Sequence, residues 1–136
     1  MPEEILAQNR EVSLYMANAQ EMLEAAQLML DNGFYASAVN RAYYGVFYAA
    51  NALLATKRLA RNKHSGVISA FRGYFVKTGF IEDEYSDTYG RLFDDCHISD
   101  YDMNDAVEDE QIFVDVDDAR RFVARMAKYL TEVGWL

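Results

Sequence analysis

The sequence has little of what builds cross-linked, cysteine-bound or repetitive proteins. Among its 136 residues there are one cysteine, one proline and seven glycines. A single cysteine excludes a disulfide framework and a cysteine-rich zinc site. The low content of proline and glycine excludes a collagen-like or low-complexity chain. Because 51% of the residues are hydrophobic, we expect a folded core rather than disorder.

Long apolar runs are also missing. No stretch of about 18 apolar residues occurs, so we expect no membrane span and no membrane partner. The first residues, Met-Pro-Glu-Glu, are acidic and differ from the apolar stretch of a signal peptide. We therefore expect a cytoplasmic protein with a single domain over residues 1–136 and a core over about residues 10–132.

The net charge of −9 hides a segregation of charge along the chain. Residues 1–31 hold six acids and one base, and residues 82–136 hold sixteen acids and five bases. Residues 32–81 hold no acid and seven bases, namely Arg41, Lys57, Arg58, Arg61, Lys63, Arg72 and Lys77. A middle segment of charge +7 allows an acidic protein to bind phosphate locally.

Apolar residues recur at spacings of three and four, which is typical of one buried face of an α-helix. The pattern predicts helices over residues 10–31, from Tyr35, over 64–78, over 82–98, and from Asp115 to the end. Asp115 is predicted as the N-cap of the last helix, after a long connection over residues 99–114. Since no β-alternation is present, the predicted fold is all-α, an antiparallel bundle of four to five helices.

Several motifs together resemble a known family. Residues 33–48 have the sequence G-F-Y-A-S-A-V-N-R-A-Y-Y-G-V-F-Y, and they are followed by His64-Ser65-Gly66, Val76-Lys77-Thr78-Gly79 and Asp100-Tyr101-Asp102. In this order the motifs resemble the small stand-alone HEPN-domain proteins of prokaryotes, over about residues 12–132. The resemblance implies a HEPN-like helical bundle that forms a homodimer. It also implies nucleotide or RNA chemistry, a minimal nucleotidyltransferase as partner, and a role in toxin–antitoxin or defence systems.

The nuclease motif of the family is degenerate in this sequence. Catalytic members are metal-independent ribonucleases with an Arg that is followed, four to six residues later, by a His. Cys96 stands where the related proteins usually have the Arg. Arg91 and His97 have the spacing, but on a continuous helix they point about 120° apart. Arg58 and His64 are a second such pair, across the basic loop.

Phosphate binding has its own candidates in the basic segment. Arg58, Arg61 and Lys63 precede His64, which begins a predicted helix whose positive dipole end favours anions. Arg41 lies on the apolar second helix, so it needs either a phosphate or an acid, for which Asp94, Asp95 and Asp100 are the candidates. Tyr43 and Tyr44 are each expected either to stack on a base or to pack in the core.

Cys96 and the residues that follow it allow three further interpretations: a buried packing residue, a modification site and a metal loop. Cys96 continues an apolar stripe and is predicted to be buried. Tyr101 lies in the region where some HEPN toxins are adenylylated by their nucleotidyltransferase partner. The spacing Asp100-x-Asp102-x-Asn104 opens like a calcium loop, but Asp105 and Gln111 replace its required Gly and Glu. We therefore expect no metal and no cofactor.

Three hypotheses remain open at this point. The favoured one is a regulatory module that binds nucleotide or RNA phosphate, works with a nucleotidyltransferase, and has little or no enzyme activity. The alternative is a metal-independent HEPN ribonuclease toxin that acts as a dimer. The third is a purely structural helical dimer. None of them includes sequence-specific DNA binding.

Overall fold

A computed structural model describes residues 2–101 and 107–136, with side chains for 2–99 and 107–136. This part of the chain contains five α-helices and no strand, which confirms the predicted all-α fold. The helices are α1 (Glu3–Asp31), α2 (Tyr35–Ala55), α3 (His64–Phe71), α4 (Asp83–Tyr101) and α5 (Asp109–Glu132). A single turn of π-helix, Arg72–Val76, continues α3.

Helix α2 is the centre of the bundle and packs against all four other helices. Fourteen of its residues are buried, so it is apolar on nearly every side. Gly45 allows α1 to approach closely, because a Cβ at this position would lie 3.2 Å from the side chain of Leu23. The central position of α2 follows directly from its apolar sequence.

Two of the connections between helices contain a glycine in a left-handed conformation. Gly33 has a φ of +79° after α1, and Gly79 has a φ of +84° after the π-turn. Only glycine adopts this left-handed region without steric cost. The short turn after α1 places α1 and α2 side by side as an antiparallel pair.

The prediction for the last helix was wrong at its start. Helix α5 begins at Asp109, and Asp115 lies inside it, fully buried, rather than at its N-cap. Two apolar residues of the same part of the helix, Ile112 and Val116, are also buried. The acidic composition of residues 108–118 concealed this apolar stripe. Helix α4 likewise extends to Tyr101, so the predicted connection over 99–114 is shorter than expected.

Candidate functional site

A cavity of about 260 Å³ opens between α2, the first residue of α3, and α4. We call it the histidine pocket, because two histidines line it. Its lining residues are Asn40, Tyr43, Tyr44, His64, Phe93, Cys96 and His97. Three of the sequence candidates, Tyr44, His64 and His97, therefore lie at one cavity although they are far apart in the sequence.

His64 is held in place by aromatic rings and by one hydrogen bond. Its imidazole stacks on Phe47 at 4.6 Å and on Tyr43 at 5.5 Å, while Tyr44 meets it edge-on. The Tyr43 hydroxyl lies 2.7 Å from His64 Nδ1. Burial raises the pKa of the Tyr43 hydroxyl well above its ordinary value, so this residue stays a neutral phenol.

The loop before His64 is anchored to the core by Asn51. This residue is 1% exposed in α2, and its amide donates a hydrogen bond of 2.8 Å to the carbonyl of Arg61. The backbone N–H of Arg61 donates in return to Asn51 Oδ1, at 3.1 Å. The two bonds fix the chain three residues before His64, which positions the start of α3 against α2.

Arg41 acts on the pocket through its neighbour Asn40. Its Nη1 donates to Asn40 Oδ1 at 2.5 Å, and Asn40 Nδ2 lies 3.7 Å from Cys96 Sγ. Because the oxygen of the amide is occupied by Arg41, the Asn40 side chain presents its NH₂ group towards Cys96. The expected ion pair of Arg41 with Asp94 or Asp95 does not form, because Asp95 faces α5 and Asp94 is exposed.

Three residues of α4 complete the pocket wall, namely Phe93, Cys96 and His97. The ring of Phe93 meets Tyr43 edge-on at 5.8 Å and stacks with His97 at 5.7 Å. Cys96 is 8% exposed, which confirms the prediction that it is buried. It lines the pocket as well, so the position at which the resemblance implies an Arg lies at this cavity.

Arg91 belongs to a different cluster, between α4 and α5, which we call the arginine–carboxylate cluster. Its Nε lies 3.0 Å from Asp115 Oδ1 and its Nη2 lies 2.5 Å from Asp118 Oδ2. The structure thus directs Arg91 to α5 and His97 to the histidine pocket, and does not bring the two predicted partners together. The wide angle between them on α4 is the reason.

Asp95 completes the arginine–carboxylate cluster. Burial, and then the hydrogen bond to Asp115, raise the pKa of Asp95 to about 7. The Oδ2 atoms of Asp95 and Asp115 are both buried without a donor among the described residues. A proton held between the two carboxyl groups avoids the repulsion that two adjacent carboxylates would have.

The other basic candidates are spread along the loop. Arg58 has a φ of +59° and pairs with Glu4 at 3.6 Å, so it turns towards α1 rather than towards His64. Arg61 and Lys63 are exposed just before His64, and the Arg61 guanidinium contacts the carbonyl of Gly66 at 3.5 Å. The basic segment therefore supplies two exposed charges on the loop that leads to His64, not one continuous patch of seven.

Three predictions fall wholly or partly outside the described residues. The side chain of Asp100, the third candidate partner of Arg41, lies there, as do the side chain of Tyr101 and the residues of the rejected calcium loop, 102–105. Within the described residues, no three His, Cys, Asp or Glu side chains cluster as metal ligands. None of the described helices is long and apolar enough to cross a membrane.

Sequence reasoning missed two residues that build the pocket. Tyr43 was interpreted as a core or stacking residue, and its hydrogen bond to His64 was not foreseen. Asn51 was overlooked altogether. Its signal was present, since Asn51 is an amide within an otherwise apolar run of α2, and a buried amide requires hydrogen-bond partners.

Comparisons with known proteins agree with this architecture. The model of the HEPN domain family matches residues 12–133. A protein of Methanocaldococcus jannaschii, named provisionally as a toxin, is 37% identical over 90% of this chain and 91% of its own length. A second protein of that archaeon, also named provisionally as a toxin, is 31% identical over 92% of this chain and 85% of its own length.

A bacterial relative has a similar degree of likeness. The UPF0332 protein of Thermotoga maritima is 36% identical over 90% of this chain and 92% of its own length. The helical bundle, the family match over most of the chain and these full-length relatives lead to one conclusion. This protein belongs to the HEPN domain family.

Proposed function

We propose that this protein is a toxin-like HEPN module that binds the phosphate-bearing part of RNA or of a nucleotide in the histidine pocket. The observation that carries the proposal is the convergence of His64, His97 and Tyr44 on one cavity. The family membership and the names of the two archaeal relatives support the toxin-like role.

The chemistry of the pocket favours a ligand rich in hydrogen-bond acceptors. Arg41 donates to the oxygen of Asn40, and the amide NH₂ group of Asn40 faces Cys96 at the pocket wall. His64 adds an imidazole, and the first residues of α3 add the positive end of a helix dipole. Phosphate oxygens are acceptors only, and they match such a set of donors.

The walls of the pocket suit the remainder of a nucleotide. Tyr44, Phe93 and His97 present flat rings, and unpaired bases stack on such rings in many RNA-binding proteins. Arg61 and Lys63, exposed on the loop before His64, attract the phosphates that flank the bound group. Single-stranded RNA has both features, so it is the ligand to test first.

Fluorescence anisotropy with a labelled single-stranded RNA, in the presence of EDTA, tests the proposal. We expect His64→Ala to weaken binding about tenfold, because a charge-assisted or phosphate hydrogen bond is lost. Arg121→Ala is the control, since Arg121 is exposed on α5, away from the pocket. Equal affinity of the His64→Ala variant and the wild-type protein would refute the pocket as the binding site.

Ribonuclease activity is the second candidate function, and one observation favours it. Two histidines line the same pocket, and a pair of imidazoles can supply the base and the acid for RNA cleavage without a metal. A gel of the same EDTA-containing samples decides between the two. RNA that stays intact supports the binding module. Cleavage that disappears in both His64→Ala and His97→Ala establishes the ribonuclease.

The partners of the module rest on family membership alone. The active unit of our proposal is a homodimer that works with a minimal nucleotidyltransferase, and Tyr101 is the residue that this partner modifies. Light scattering tests the dimer, which requires twice the chain mass of 15.6 kDa. Mass spectrometry after incubation with ATP and a minimal nucleotidyltransferase tests the modification, with Tyr101→Phe as the control. A mass of one chain would refute the homodimer, and an unmodified Tyr101 would refute the modification by a nucleotidyltransferase.

A further inference from the structure

The hydrogen bond between Tyr43 and His64 determines what His64 can do chemically. The Tyr43 hydroxyl and His64 Nδ1 lie 2.7 Å apart, and such a bond can form in either direction. If Tyr43 donates, the neutral imidazole carries its proton on Nε2 and is a donor there. If Tyr43 accepts, the proton is on Nδ1, and Nε2 becomes an acceptor that can act as a base.

The surroundings of Tyr43 favour donation. The residue is 2% exposed and is surrounded by the rings of Tyr44, Phe47, Phe93 and Tyr89. Among the described residues its hydroxyl has no hydrogen-bond partner other than His64. If the hydroxyl accepted a bond from Nδ1, its own proton would have no acceptor among the described residues, which is unfavourable for a residue that is only 2% exposed.

The orientation of the imidazole is fixed by stacking. The rings of Phe47 and Tyr43 stack on His64 with interplanar angles of 27° and 24°. These contacts set the plane of the ring, and the hydrogen bond holds Nδ1 towards Tyr43. The opposite side of the imidazole, with Nε2, is then the part of His64 that a ligand can meet.

We propose that Tyr43 is a positioning residue that donates to His64 Nδ1 and thereby makes neutral His64 a hydrogen-bond donor through Nε2, not a base. The ligand atom that His64 contacts is then an acceptor, and in RNA this is a phosphate oxygen. This last step rests on the proposed function, but the tautomer itself does not. In the ribonuclease alternative, His97 and not His64 would be the base.

Nitrogen NMR of the imidazole side chains measures the tautomer without any ligand. Spectra of ¹⁵N-histidine protein at about pH 8.5, where imidazoles are neutral, distinguish a protonated ring nitrogen from an unprotonated one. We expect His64 to have an unprotonated Nδ1 and a protonated Nε2. A protonated Nδ1 in the wild-type protein would overturn the proposal, and this spectrum is decisive even if the variants below fail to fold.

Removal of the Tyr43 hydroxyl tests whether this residue sets the tautomer. Tyr43→Phe keeps the stacked ring, and we expect it to give a detectable fraction of the Nδ1-protonated form. Tyr44→Phe is the matched control, because it removes a hydroxyl from the adjacent ring, which meets His64 edge-on. It should leave the spectrum of His64 unchanged. If Tyr43→Phe also leaves it unchanged, Tyr43 does not position His64.

An RNA titration of the same variants separates the two proposals. We expect Tyr43→Phe to weaken RNA binding about two- to fivefold, because only part of the population then presents a donor at Nε2. If the tautomer is as expected but the affinity of His64→Ala equals that of wild type, the phosphate-binding proposal fails and the positioning role of Tyr43 stands. If RNA binds through His64 with Nδ1 protonated, the positioning role fails alone.

Discussion

Helix α4 contributes to two polar clusters that differ in what their charged groups contact. Towards α5, Arg91 and Asp95 are four residues apart on one side of the helix and meet Asp115 and Asp118. Towards α2 and α3, the same helix supplies Phe93 and His97 to the histidine pocket. Protein carboxylates neutralise the Arg91 cation, whereas donor groups at the histidine pocket face a cavity.

This difference separates a structural role from a functional one. The buried carboxylate of Asp115 requires a cation beside it, because an unpaired buried charge destabilises the folded protein. Changes in the arginine–carboxylate cluster should therefore alter stability, and changes in the histidine pocket should alter binding. Four variants, taken from the largest expected effect to the smallest, can break this division.

Arg91→Ala should have the largest effect on stability. It leaves the fully buried Asp115 without its cation, and we expect a loss of about 2–4 kcal/mol in the free energy of unfolding. The estimate lies below that for a fully buried pair because the Arg91 side chain is 37% exposed. Urea denaturation measures it, with Lys128→Ala as the control, because Lys128 is an exposed cation of α5 that lies outside the cluster. A loss no greater than that of the control would show that the cluster is not structural.

Asn51→Ala should destabilise by less, and should also affect the pocket. It removes two hydrogen bonds to the backbone of Arg61, and we expect a loss of about 1–3 kcal/mol. Hydrogen exchange at residues 61–64 should become faster, because the loop loses its anchor. Asn62→Ala, at an exposed position on the same loop, is the comparison. Unchanged exchange in the Asn51 variant would mean that the loop is held by other contacts.

Asp95→Asn should change how stability depends on pH. The folded-state pKa of Asp95, about 7, lies above the ordinary value for an unfolded aspartate of about 3.9, so the folded state binds this proton more tightly. The stability from Asp95 is complete below about pH 4 and declines as the pH rises to about 7. An asparagine retains a donor to Asp115, so we expect this decline to disappear.

Urea denaturation from acid to neutral pH, for wild type, Asp95→Asn and the exposed neighbour Asp94→Asn, measures this contribution. The Asp94 variant should follow the wild-type curve. If the Asp95 variant also follows the wild-type curve, the shared proton between Asp95 and Asp115 does not exist.

Lys63→Ala should have the smallest effect, and only on binding. Lys63 is exposed immediately before His64, so its loss should weaken RNA binding about two- to threefold and reduce the salt dependence of binding. Lys77→Ala removes an equally exposed charge of the same basic segment after the π-turn. A larger effect of Lys77→Ala than of Lys63→Ala would show that the RNA phosphates do not bind beside Lys63.

The sequence was sufficient for the fold but only in part for the site. Apolar periodicity predicted α2, α3 and α4 closely, because burial constrains local sequence strongly, whereas α1 begins at Glu3 rather than at residue 10. The start of α5 was mispredicted because Ile112 and Val116 lie among acids. The convergence of Tyr44, His64 and His97 could not be predicted, since it depends on how α2, α3 and α4 pack.

The arrangement of Arg91 shows why spacing alone misleads. Arg91 and His97 satisfied the spacing of the family's catalytic motif, yet the acids that bind Arg91 lie on a helix whose start was misplaced. Without a correct α5, Asp115 appeared to be a helix cap rather than a buried ion-pair partner. Three-dimensional packing of α5 against α4 was the missing information.

One NMR titration tests the division between the two clusters most directly. RNA is added, in EDTA, to ¹⁵N-labelled protein, and the imidazole signals of His64 and His97 are followed together with the guanidinium Nε–H signal of Arg91. The account predicts that both histidine signals shift with RNA concentration while the Arg91 signal stays in place. A shift of Arg91 with unmoved histidines would contradict it and assign the phosphate site to the arginine–carboxylate cluster.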